Sequence, residues 1–102
     1  MTTEWAETVI VAVKYNMEKA HISLVKILTY TGQTLKDERI VTRQDIVYWL
    51  SKKIRIITAY KKEDGKFYPG DEVEIFPVND INYIKTEGDT IEKDNLGGLP
   101  EF

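Results

Sequence analysis

One histidine, two serines and no cysteine are a sparse outfit for covalent or metal chemistry in a chain of 102 residues. His21 has no second imidazole and no thiolate to share a zinc site with. Ser23 and Ser51 lie in no nucleophile-elbow pattern, and neither is spaced to suggest a pair with His21. The glycines of "GKFYPGDE" lack the strand, loop and helix that a phosphate-binding loop requires. Asp89, Glu92 and Asp94 form an acidic run without the glycine and closing glutamate of a calcium loop, so they read as a solvated stretch. Among the 17 Asp and Glu residues no two stand out as a general acid and base. The reading is of a protein that is not an enzyme and uses no metal or cofactor.

Groups suited to binding are easier to find. Lys52, Lys53, Arg55, Lys61, Lys62 and Lys66 give residues 51–70 a net charge of +4, whereas residues 71–102 carry −7 and the first fifty are neutral, for a total of −3. Tyr60, Phe67 and Tyr68 interleave with these cations, a combination that can hold phosphates and stack flat rings. Glu63 and Asp64 dilute the patch, and packing alone would explain the aromatics. A basic middle beside an acidic end can attract its own acidic segment, a neighbouring copy or an anionic ligand, or the two can be solvated faces that never meet.

These residues must be carried by a small set of elements. "TVIVAVKY" (8–15) is β-branched and almost continuously apolar, which predicts a strand covered on both faces. "HISLVKILTYT" predicts a second strand, antiparallel to the first across the short "NMEKA" connection. "GQTLKDERIV" is polar without clean periodicity and reads as a loop. "TRQDIVYWLSKK" predicts a helix over about 42–53: Thr42 caps it, Asp45 approximates a capping box, and Ile46, Trp49 and Leu50 with Val47 make an apolar stripe. "IRIITAY" returns to strand, and Asp64-Gly65 predicts a type I′ hairpin turn with positive φ at both positions. "EVEIFPV" and "INYIKT" predict two more strands around Asn79-Asp80, with Pro77 at an end or on an edge. The fold class is α+β: a single domain over 1–102, with a mainly antiparallel sheet of four to six strands and one amphipathic helix on one face.

The last stretch, "IEKDNLGGLPEF", keeps Leu96, Leu99 and Phe102 within reach of one another through turn-forming residues. Burying one such side chain is worth roughly 1.5–3 kcal/mol, so residues 87–102 are expected to pack on the domain as a clasp. Asp94, Asn95, Leu96, Leu99, Pro100 and Phe102 are its expected members. The segment from Asn82 to Phe102 also resembles the C-terminal signature of a small prokaryotic and phage-encoded family known only as a domain of unknown function. Tyr83, Ile84, Lys85, Thr86, Asp89, Asp94, Asn95, Leu96, Leu99, Pro100 and Glu101 fall on that signature. The resemblance implies a compact α+β module without an established activity.

No window approaches the roughly 18 apolar residues of a membrane span, and the first residues lack a basic region before their apolar run. Together with the absence of cysteine these features suggest a cytoplasmic protein with no membrane partner. The function expected is a non-catalytic binding module. It would act through a protein partner or self-association, for which a homodimer is one form and a phage-type inhibitor of a host system another. The alternatives are a sequestering protein for a small anionic, nucleotide-like ligand and, further off, nucleic-acid binding through the basic hairpin.

Overall fold

The computed structural model describes residues 5–16, 21–78, 80–86, 94, 96 and 99–102. Seven strands and one helix follow in the order β1 (Thr8–Tyr15), β2 (Ile22–Tyr30), β3 (Leu35–Thr42), α1 (Arg43–Ser51), β4 (Ile56–Lys61), β5 (Phe67–Glu72), β6 (Glu74–Val78) and β7 (Ile81–Lys85). The domain is α+β, with the strands divided between two sheets instead of one. The larger has the order β3-β2-β1-β4-β5, and the smaller is the β6-β7 pair.

The apolar run of β1 makes it the central strand. It pairs antiparallel with β2 on one side and parallel with β4 on the other. A parallel pair cannot be joined by a hairpin, and the chain between β3 and β4 is where the helix lies. Two apolar clusters result, one on each face of the large sheet. Ile10, Val13, Val25, Ile27 and Ile56 meet Ile46 of α1, Ile84 of β7 and the tail residues Leu96 and Leu99. Val9, Val11, Leu28, Ile57 and Ala59 point the other way, against the half-buried Trp5, Tyr30, Leu35 and Phe67.

Two sequence expectations need correction. Residues 35–42 form a strand and not a loop. Among the described residues β3 is an edge strand that pairs with β2 alone, so five of its eight side chains in a row are exposed and no apolar alternation marks it. The turn after β4 is also not type I′. Only Gly65 has positive φ there (81°), and Gly65 N–H donates to Lys62 O at 2.9 Å while Lys62 N–H donates to Lys66 O at 3.0 Å. Such a turn ends on a left-handed glycine, which Asp-Gly suits equally well. Pro77 lies next to the end of β6, opposite Asn82 in a two-stranded sheet in which each strand is an edge, as its missing donor leads one to expect. The "NMEKA" connection falls largely outside the described residues.

The helix occupies Arg43–Ser51, with Thr42 as its cap. Asp45 N–H donates to Thr42 Oγ1 at 3.2 Å and Thr42 N–H donates to Asp45 Oδ2 at 3.1 Å, a reciprocal capping box. At the other end Lys53 N–H donates to Leu50 O and Ile54 N–H to Trp49 O, the double bond of a Schellman motif. Lys53 occupies its left-handed position at φ 65°. A side chain there costs about 1 kcal/mol that glycine avoids. Lys53→Gly is therefore expected to raise stability by up to about 1 kcal/mol, read as a higher denaturant midpoint at unchanged slope.

The tail residues complete the first cluster. Leu96 is fully buried and Leu99 nearly so, whereas Phe102 is 37% exposed. Leu96→Ala is expected to cost about 2–5 kcal/mol, measurable by denaturant unfolding. Phe102→Ala should cost much less.

Candidate functional site

Curvature of the large sheet creates the site. Its ladders are interrupted by register shifts at Ile10/Ala12 in β1, Ile27/Thr29 in β2 and Ile57/Ala59 in β4. Such bulges bend strands and increase twist, and the five strands curl so that the edge strands β3 and β5 contribute to one hollow. The bulge in β1 matters most. Beyond Ile10, β1 leaves β4, and its free edge is taken by the chain end: Val13 N–H donates to Pro100 O at 2.9 Å and Phe102 N–H to Val13 O at 3.0 Å.

Where β1 and β4 part, a cavity of about 450 Å3 opens. Lys26 of β2, Tyr60 and Lys61 of β4, Phe67 of β5 and Pro100 line it, with Glu38 of β3 on the same wall. The register explains the convergence. Lys26 pairs with Ala12 in one ladder and with Ile40 in the next, and Lys61 pairs with Phe67. Lys61 Nζ lies 5.8 Å from the Phe67 ring centre and Lys26 Nζ lies 5.1 Å from that of Phe102. These are cation–π distances. Phe67 also lines a second hollow of about 510 Å3, shared with Trp5, Tyr30, Thr34, Gly65 and Lys66. There Trp5 stacks on Tyr30 with centroids 5.3 Å apart.

The basic patch read from the sequence is split by the fold. Lys61 and Lys66 reach the curled face, whereas Tyr60 borders the first cavity with its side chain packed against the first cluster. Lys62 Nζ lies 4.3 Å from the Tyr68 ring centre, and the Tyr68 hydroxyl donates to Asp64 Oδ2. That bond, with a second from Lys66 N–H at 2.9 Å, holds the Asp64 carboxyl below its ordinary pKa, and the same contact raises the Tyr68 phenol. A carboxyl lowered on folding contributes stability at neutral pH that is lost as pH falls through its folded value, so acid loosens the hairpin tip. Lys52 caps the helix end with Nζ 5.4 Å from the Tyr48 ring centre, and Lys53 serves the turn after it. Arg55 Nε donates to Glu72 Oε1, and Arg55 Nη1 donates to Trp5 O at 3.2 Å. Four of the six cations named from sequence, Lys52, Lys53, Arg55 and Lys62, thus line neither hollow. Lys26, Glu38 and Trp5, which belong to the two hollows, carried no signal in the sequence, because only the register brings them there.

A separate polar centre anchors the tail. Asp94 is fully buried and accepts from Ile22 N–H and Ile84 N–H, each at 2.8 Å, and from Arg43 Nε at 2.7 Å and Nη2 at 3.1 Å. Arg43 Nη2 also donates to Asn82 O. His21 stacks on Tyr83 with centroids 5.2 Å apart, and its Nδ1 lies 3.7 Å from Asp94 Oδ2. Every oxygen of Asp94 is thus committed to holding β2, β7 and α1 together. Asn95, Asp89 and Glu92 lie outside the described residues.

The chain matches, over residues 9–100, the family described as protein of unknown function DUF3892. It belongs to that family. No match is found among curated proteins or among solved structures. The DUF3892 match takes in the Asp94 centre and every lining residue of the first cavity, whereas Trp5 of the second hollow lies before it. Among the described residues, no helix is long and apolar enough to cross a membrane.

Removing a partner from a buried, hydrogen-bonded charge strands the other, at a cost of about 3–5 kcal/mol. Asp94→Ala is expected to destabilise the domain by that amount in chemical denaturation. Glu72→Ala, which removes an exposed partner of Arg55, should cost under about 1 kcal/mol.

Proposed function

We propose that this domain is a non-catalytic binding module that takes a small anionic, nucleotide-like ligand on the curled face of its five-stranded sheet. The observation that carries this reading is the approach of Lys26 and Lys61 to one cavity beside the ring of Phe67. The parallel pair β1 and β4 separates beyond Ile10, which leaves the cavity open between them. A volume of about 450 Å3 suits a small molecule. Two lysines can bind a phosphate or carboxylate as point charges, while the aromatic wall accepts a flat ring. Glu38 adds an acceptor for a hydroxyl or amino group and repels a second anion. Holding a ligand without reacting with it is a sequestering role.

The test is thermal unfolding with mononucleotides and inorganic phosphate at increasing concentration, followed by calorimetry. A ligand at 100 times its Kd should stabilise the fold by about 2.7 kcal/mol. Lys61→Glu should weaken binding by about 10–100-fold, since hydrogen bonds to charged groups contribute about 1.5–3 kcal/mol each. Lys52→Glu, away from the cavity, should leave binding intact. Absence of any stabilisation across the panel, or equal effects of the two variants, would overturn the reading. A protein partner, a host-system target of a phage-type inhibitor among them, would then be sought by pull-down.

A further inference from the structure

The two hollows of the curled face are not independent, because Phe67 lines both. We infer that the groove takes a ligand with two flat rings joined through an anionic bridge, the chemistry of a dinucleotide. This rests on the reading of the face as a nucleotide-type site and names what fills it.

Each hollow has the parts to hold one ring-bearing unit. In the first, Phe67 is the aromatic wall and Lys61 the cation, with Pro100 and Tyr60 completing the lining. In the second, Trp5, Tyr30 and Phe67 are the walls and Lys66 the cation, with Thr34 able to donate or accept a hydrogen bond. Their volumes are similar, about 450 and about 510 Å3, so neither is a minor annex of the other. Trp5, Tyr30 and Phe67 are half-buried and stand against the second cluster, so each keeps part of its ring open to the groove. Hydrophobic packing alone does not require cations at these places. Lys61 lies opposite Phe67 in the ladder with Nζ 5.8 Å from its ring centre and Lys66 lines the second hollow, so each of the hollows that Phe67 divides has a cation. An anionic bridge crossing over Phe67 meets both.

The linked ligand gains because the second ring binds as an intramolecular event at high effective concentration, and each base stacked on an aromatic side chain adds roughly 1–3 kcal/mol. The same chemistry is presented by a free dinucleotide and by two adjacent nucleotides of a single strand.

Calorimetry with adenosine monophosphate, the linear dinucleotide ApA and a ten-residue oligoadenylate tests this. ApA is expected to bind at least about tenfold tighter than the mononucleotide. Trp5→Ala should bring ApA down to the mononucleotide's affinity and lower the mononucleotide stoichiometry from two sites to one, and Lys66→Glu, at an exposed position, should give the same pattern if the tryptophan variant does not fold. An oligoadenylate that binds no tighter per site than ApA assigns the groove to a free dinucleotide, and one that binds tighter, with several chains per strand, assigns it to single-stranded nucleic acid. Equal affinity for the mononucleotide and ApA would overturn the two-ring ligand and leave the single-cavity reading standing. Failure of all three probes to bind would remove both.

Discussion

The second edge of β1 is the constraint on which the fold turns. Backbone donors and acceptors in the middle of a protein must find partners along their whole length, and β1 lies between two neighbours with no water to call on. β4 supplies partners from Thr8 to Ile10 and then departs. The bulge at that point turns β1 away, and Val13 would be left unpaired on that side but for Pro100 and Phe102. The tail is therefore part of the sheet as well as part of the core. Leu96 and Leu99 fill the space between the sheet and the helix, and Asp94 sets the path of the chain into that space.

The same handover makes the cavity. Two strands that stayed paired would leave no gap between Ala12 and Tyr60, and a chain that ended earlier would leave the gap without Pro100 as its wall. Asp94 connects the two halves of this arrangement. By accepting from the first amide of β2 and from an amide of β7 while pairing with Arg43, it fixes the tail against the elements on the helical side of the sheet. A carboxylate with that many donors is a specific anchor, because a shifted register would bury a charge with too few partners. Precision on the helical side thus determines the shape of the opposite, curled side.

Those parts of the fold that depend on local pattern were legible in the sequence. "TVIVAVKY" is apolar on both parities because both faces of the central strand are covered, and Thr42 with Asp45 marked the helix start because capping is a matter of three residues. β3 was not legible: Lys36, Asp37, Glu38 and Arg39 are the charges of an edge strand, and charge at an edge discourages pairing with other chains while hiding the strand from any search for alternation. The division into two sheets was equally hidden, since nothing local in "EVEIFPV" says which strand it will pair with. For the candidate site the lesson is similar. Tyr60, Lys61 and Lys66 were identifiable from composition, whereas Lys26 enters only through its register opposite Ala12, and Trp5 only through its stack on Tyr30.

Charge clustering in the sequence overstated the number of cations available to a ligand. Six basic residues between 51 and 70 suggested one surface, yet local geometry draws several of them to other tasks: Arg55 to Glu72, Lys53 to the helix end, Lys62 to the Tyr68 ring. Asp64, placed at the tip by the glycine turn, binds Tyr68 and the Lys66 amide together, so the hairpin's acidic residue serves its shape. The remaining cations on the curled face are few and come from different strands. A site of that kind favours a compact ligand over a long polyanion, because binding a long backbone demands a continuous row of positive charge, whereas a small anion needs only two or three groups held at the right separation. The rigidity of the ladder supplies that separation, and this is why the positions of Lys26 and Lys61 across β1 carry more weight than the net charge of the segment.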